Sequence, residues 1–169
     1  DILPAFDYTK SGGALMDLNI YNIHFVVGLF GKPKDVQYYP NIERGIDTSG
    51  ILILDYETMK CVCIGAKDCK APLSNTIQGD KGCIQIPTPV SYIGSFQLLM
   101  NDGTTCRVDV NKNVHRMYEE FKAFETMYQQ QDYLSCYEML EHSLIVMEVQ
   151  TIARRKAGVI FPADEEHFM

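Results

Sequence analysis

The stretch Ser49-Gly50-Ile51-Leu52-Ile53-Leu54-Asp55-Tyr56-Glu57-Thr58-Met59-Lys60-Cys61-Val62-Cys63-Ile64-Gly65-Ala66 decides the fold. Two apolar runs flank the turn Asp55-Tyr56-Glu57-Thr58. So short a connection joins antiparallel strands, because a parallel crossover needs about a dozen residues or more. The pattern extends outward on both sides. Strands are expected over 35–39, 49–56, 60–66, 75–78, 83–86, 95–100 and 104–110. Turn chemistry at Gly79-Asp80-Lys81-Gly82 and at Asn101-Asp102-Gly103 separates the later ones, the second being a strong hairpin signal.

Helical periodicity brackets this series. Residues 1–11 read as a loop, and a helix follows over 14–30, with Leu15, Leu18, Tyr21, Val26 and Leu29 at helical spacing and Gly31-Lys32-Pro33 as its stop. Residues 115–131 carry Met117, Phe121, Phe124 and Tyr128 on one face. Residues 133–156 carry Tyr137, Leu140, Leu144, Met147 and Ile152, and Gly158 ends that helix. Helix, strand series, then helices describes an α+β domain: a largely antiparallel open sheet with helices packed on one face. Residues 1–169 read as a single domain without internal repeats.

Composition narrows the function. The chain has 169 residues and a formal net charge of −7, so it lacks the positive field that supplies most nucleic-acid affinity. No apolar run approaches the ~18 residues of a membrane span, so neither nucleic acid nor membrane is expected as a partner. Arg154-Arg155-Lys156 falls in the last helical turn, where cations complement the helix dipole, and Asp164-Glu165-Glu166 reads as a solvated acidic tail. The spacing of Cys61, Cys63, Cys69 and Cys83 offers no zinc knuckle. The cysteines read as free thiols in a reducing compartment, with the cytoplasm as the expected location and no metal site. There is no glycine-rich dinucleotide fingerprint, P-loop, GxSxG or HExxH. By motif alone the chain is an α+β domain and nothing more.

One segment goes further. Ser11-Gly12-Gly13-Ala14-Leu15-Met16-Asp17-Leu18-Asn19-Ile20-Tyr21-Asn22-Ile23 resembles the signature helix of the Gfo/Idh/MocA oxidoreductases, in the tyrosine form of their dihydrodiol dehydrogenase and glucose-fructose oxidoreductase branch. The resemblance continues in order through Leu29-Phe30-Gly31-Lys32-Pro33, Gly79-Asp80-Lys81-Gly82-Cys83-Ile84, Ser143-Leu144, Arg154-Arg155-Lys156 and Gly158-Val159-Ile160-Phe161-Pro162. It implies that the chain is the C-terminal substrate-binding and oligomerisation domain of an NAD- or NADP-dependent enzyme. The Rossmann domain that binds the cofactor, and the family's catalytic Lys, would lie outside it. A chain starting Asp1-Ile2-Leu3-Pro4 without Met fits an excised or processed piece, expected to be inactive alone and to bind no cofactor itself.

The resemblance gives Asp17 and Tyr21 catalytic roles. Four residues apart, they share a helical face. Oxidising an alcohol requires removal of its hydroxyl proton, which a Tyr hydroxyl near a cation can accept or relay while Asp17 orients the substrate. Apart from the resemblance, such a Tyr reads as a core or rim residue and such an Asp as dipole compensation. Gly12, Gly13, Asn19 and His24 are the matching substrate-side candidates. Asn19 stands where the family usually has Gly and would crowd a ligand near the backbone. His24 is either a second proton donor or a packed helix residue, and His142 reads as a satisfied helix histidine. The implied reaction is hydride transfer between nicotinamide and an alcohol or carbonyl of a sugar, polyol or diol. The apolar sheet face bearing Ile51, Ile53, Val62 and Ile64 would be covered in a homodimer or higher homo-oligomer. The competing readings are a non-catalytic binding or scaffold module that keeps the fold, and a domain for an unrelated ligand.

Overall fold

The computed structural model describes residues 3–10, 12–111, 113, 115–161 and 164. Ser11, Glu165 and Glu166, which figure in the reading above, lie outside the described residues. Two compact units emerge, Asp1–Lys70 with Leu140–Met169, and Ala71–Met139.

The first unit is built on three antiparallel strands, β1 (Asp35–Glu43), β2 (Ile46–Asp55) and β3 (Lys60–Ala66), in the order β1-β2-β3. Alternation divides their side chains. Val36, Tyr38, Leu52, Leu54 and Cys63 enter a core with Leu15, Ile23, Val26 and Val27 from the N-terminal helical segment and Val146, Val149 and Ala153 from the last helix. The opposite face carries Tyr39, Ile51, Val62 and Ile64, all exposed. Helices on one face and an open sheet on the other is the expected arrangement.

The second unit holds β4 (Asn75–Gly79), β5 (Gly82–Ile86), β6 (Ser95–Met100) and β7 (Thr105–Asp109), a four-stranded antiparallel meander in that order, and α2 (Tyr118–Gln130). All seven strands thus form where the apolar runs place them, but in two sheets rather than one. The break falls in 67–74, a polar and proline-containing stretch without ladder partners.

The helices depart from expectation in two ways. The first opens with a π-turn, Leu15–Asn19, before α1 (Ile20–Phe30), and its buried stripe is Leu15, Asn19, Ile23, Val26 and Val27, which leaves Leu18, Tyr21 and Leu29 exposed on the flank. In α3 (Tyr133–Lys156), Tyr137, Leu140, Leu144 and Met147 are exposed, and the buried side is Val146, Val149, Gln150, Ala153 and Arg154. The helix carries two apolar stripes, and the one next to the sheet is the shorter-chained.

The acidic end also differs from a solvated tail at Asp164. Its carboxylate is buried, accepting from Arg154 Nη2 at 2.8 Å and Arg155 Nη2 at 2.8 Å, while Arg154 stacks on Phe161 with 4.7 Å to the ring centroid. The Arg154 guanidinium, followed by the Phe161 N–H and Arg155, holds that carboxyl well below the usual range. The ion pairs to Arg154 and Arg155 and the hydrogen bond from the Phe161 N–H at 2.8 Å hold Asp164 turned inward.

Candidate active site

The π-turn and the start of α1 carry the residues singled out by sequence. Gly13, at φ +82°, makes the turn into the helix, and a Cβ there would lie 1.8 Å from Asp47 Oδ1. Only glycine fits. Asp47, buried at the start of β2, accepts from the Leu15 N–H at 2.7 Å and the Tyr38 hydroxyl at 2.7 Å. It supplies the carboxylate that a helix N-terminus needs, from a distant strand rather than from a local cap. Burial, then the Asp47 carboxylate, pushes the Tyr38 hydroxyl far up, so it stays a donor.

Asp17 and Tyr21 both face outward, Tyr21 about half exposed. Asp17 Oδ2 pairs with Lys67 Nζ, whose side chain is almost wholly buried and also donates to the Ala5 carbonyl at 3.0 Å. A buried ammonium beside an exposed carboxylate fixes the carboxylate's place. Lys67 follows β3, with its own N–H donating to the Thr48 carbonyl at 2.8 Å. Nothing in its sequence context distinguished it, because its partner Asp17 is 50 residues away.

The other candidates sit differently. Asn19 is fully buried against Gly65 of β3, where a Cβ would lie 2.9 Å from Asn19 Nδ2, and its Oδ1 accepts from Asn22 Nδ2 at 2.8 Å. It packs toward the sheet, away from the side on which Asp17 and Tyr21 emerge. Gly12 is half-buried, over the Met16 side chain. His24 is half-buried with Nδ1 2.9 Å from His142 Nε2, and Lys32 of the loop after α1 meets Glu148 of α3 at 2.7 Å. Burial, then His142, depresses the His24 pKa below its ordinary value. His142 is therefore a satisfied helix histidine, its partner being His24. Among the described residues no cluster of three or more His, Cys, Asp and Glu side chains has the makings of a metal site, and no helix is long and apolar enough to cross a membrane.

An antiparallel sheet backed by helices, with an outward-facing Asp and Tyr on the first of them, is what the chain has in common with the C-terminal domains of Gfo/Idh/MocA-type oxidoreductases, which it resembles. Among curated proteins it is 30% identical over 165 residues to scyllo-inositol 2-dehydrogenase (NADP(+)) IolU of Bacillus subtilis, covering 97% of this chain and 50% of that protein. It is 26% identical over 174 residues to trans-1,2-dihydrobenzene-1,2-diol dehydrogenase of Macaca fascicularis, covering 95% and 51%. A crystal structure of a mutant of KijD10, a 3-ketoreductase from Actinomadura kijaniata, in complex with TDP-benzene and NADP, shares the fold with a TM-score of 0.69 at 15% identity, over 86% of this chain and 48% of that one. The chain spans about half the length of the curated relatives it matches. No protein-family model matches it.

Proposed function

We propose that this chain is the substrate-binding and oligomerisation half of a nicotinamide-dependent oxidoreductase that interconverts an alcohol and a carbonyl on a sugar, polyol or diol. The observation that carries this is that Asp17 and Tyr21 are both exposed at the junction of the π-turn and α1, with Asp17 held by Lys67. These residues fit the alcohol end of such a reaction. They do not fit the dinucleotide: the strands pair antiparallel within each sheet, and among the described residues no strand, glycine turn and helix unit presents a helix N-terminus to a pyrophosphate. When bound by the other half of the protein, nicotinamide supplies the hydride exchange.

The residues of this chain manage the proton and the pose. Tyr21 Oη relays the proton: during oxidation it accepts the proton of the substrate hydroxyl as its own phenolic proton passes to a base supplied by the cofactor-binding half, and the transfer runs backward during reduction. Asp17 accepts a hydrogen bond from a neighbouring hydroxyl of the substrate, which suits polyols and diols, and Lys67 keeps its carboxylate in place. Gly13 and Asn19 support the turn from behind. Gly12 and His24 flank it and are the remaining candidates for substrate contact.

The test is a nicotinamide absorbance assay on the full-length protein, with NAD and NADP against sugars, polyols and diols. Tyr21→Phe is expected to lower turnover by about a hundredfold or more, the scale of a lost acid/base group. Undiminished turnover in Tyr21→Phe defeats the role given to Tyr21, and cofactor binding without turnover on any substrate favours a scaffold that keeps the fold.

A further inference from the structure

Gln150 lies on α3, almost completely buried, opposite the π-turn. Its Nε2 donates to the Leu15 carbonyl at 3.1 Å and, more loosely, to the Met16 carbonyl at 3.5 Å. A π-turn holds one residue more than an α-turn, so the helix does not close all its carbonyls internally, and a side chain reaching into the ladder is one of the physical causes of such a distortion. Leu15 is thereby gripped at both ends of its residue: β2 takes its N–H through Asp47, and α3 takes its C=O through Gln150. Asp17 is two residues further on.

Gln150 Oε1 is buried without a hydrogen-bond partner among the described residues. An apolar side chain of the same length would escape that penalty. What Nε2 does accounts for the amide.

We infer that Gln150 is a positioning residue: it holds Leu15–Asn19 in π register and so sets the direction in which Asp17 leaves the helix relative to Tyr21. Without its donor, the turn closes toward α register and rotates Asp17 about the helix axis, away from Lys67 and from the substrate side of Tyr21. The inference rests on the roles given above to Asp17 and Tyr21.

Two readouts on the full-length protein test it. Hydrogen exchange of the peptide covering 15–21 reports the turn itself. In Gln150→Met it is expected to quicken tenfold or more, with the strands of the first unit unchanged. Turnover reports the consequence: kcat falls tenfold or more with the KM for the nicotinamide nucleotide unchanged, and the same substitution in an Asp17→Asn background costs nothing further. Unchanged exchange, or losses that multiply in the double variant, overturns the inference. Should Gln150→Met fail to fold, Gln150→Glu gives the same test within one protein, since its protonated carboxyl donates and its ionised form does not. After correction for intrinsic exchange, protection of 15–21 is expected at pH ~5.5 and lost at pH ~8, and equal protection at both overturns the inference. Asp17→Asn with full turnover defeats the proposed catalytic role, while the exchange measurement still decides the role of Gln150.

Discussion

Asp47 shows what a single residue contributes here. One buried oxygen, Oδ2, serves the Leu15 N–H at the mouth of the π-turn and the Tyr38 hydroxyl in the core. Removing it strands both donors in a place water does not reach, and hydrogen bonds to a charged group are each worth more than neutral ones. Asp47→Ala is therefore expected to cost about 2–4 kcal/mol of unfolding free energy, and Asp47→Asn less, because it keeps an acceptor. Urea unfolding measures both, and a loss in Asp47→Ala below about 0.5 kcal/mol, the range of a neutral surface change, removes Asp47 from this role. The sequence did not mark the residue. An Asp followed by Thr, Ser and Gly reads as turn chemistry before a strand, and the expected strand began two residues later at Ser49; the ladder Asn41↔Ser49 with Ile42↔Asp47 extends it across a bulge. Lys67 was hidden for a related reason, since contacts between residues far apart in the chain leave no local period.

At the scale of elements, the strands were the legible part. Their period of two and their turn residues are local, and β3 and β6 run over the expected residues while the others differ by a few at their ends. Helical faces were less legible. The buried stripe of the first helical segment runs through Leu15, Asn19, Ile23, Val26 and Val27, so Tyr21 lies at its exposed edge, and α3 has apolar residues on two sides, of which periodicity alone cannot choose the buried one. Where α1 meets α3, the contact between His24 and His142 makes a prediction. One ring nitrogen of the pair donates and the other accepts, so at least one imidazole is neutral. The His24 pKa is depressed in the folded state. A depressed histidine contributes stability above its unfolded value near 6.5, and that contribution is lost as pH falls through the lower, folded value. The urea midpoint is expected to fall between pH ~7.5 and ~5.5, and His24→Leu to flatten that fall. Asp7, Asp35 and Asp164, all held below the ordinary carboxylate range by hydrogen-bonded partners, titrate at more acidic pH and are silent in this window. An equal slope in His24→Leu assigns the pH dependence to other groups.

For the whole molecule, the open face of the first sheet is the feature that bears on its state in solution. Register places Tyr39, Ile51 and Ile64 in one row across the three strands, with Ile53 opposite Val62 in the next. Tyr39 is 60% exposed, Val62 61% and Ile64 67%, so these side chains gain almost nothing from the fold of their own chain. A contiguous apolar patch in water carries a cost of roughly 25 cal/mol per Å² left uncovered, and an exposed sheet face is covered most simply by a second copy of itself. The protein is accordingly expected to be a homodimer through this face. Ile64→Lys puts a charge on edge strand β3 directly opposite Ile51, where pairing of two copies buries it. Because Ile64 touches little of its own core, the substitution is expected to leave the unfolding free energy of the monomer, measured in urea, within about 0.5 kcal/mol of the parent while halving the mass in solution by light scattering. A parent protein that stays monomeric across micromolar concentrations defeats the expectation outright. A dimer that survives Ile64→Lys moves the interface to another surface, of which the exposed ridge of Tyr137, Leu140, Leu144 and Met147 on α3 is the next to mutate.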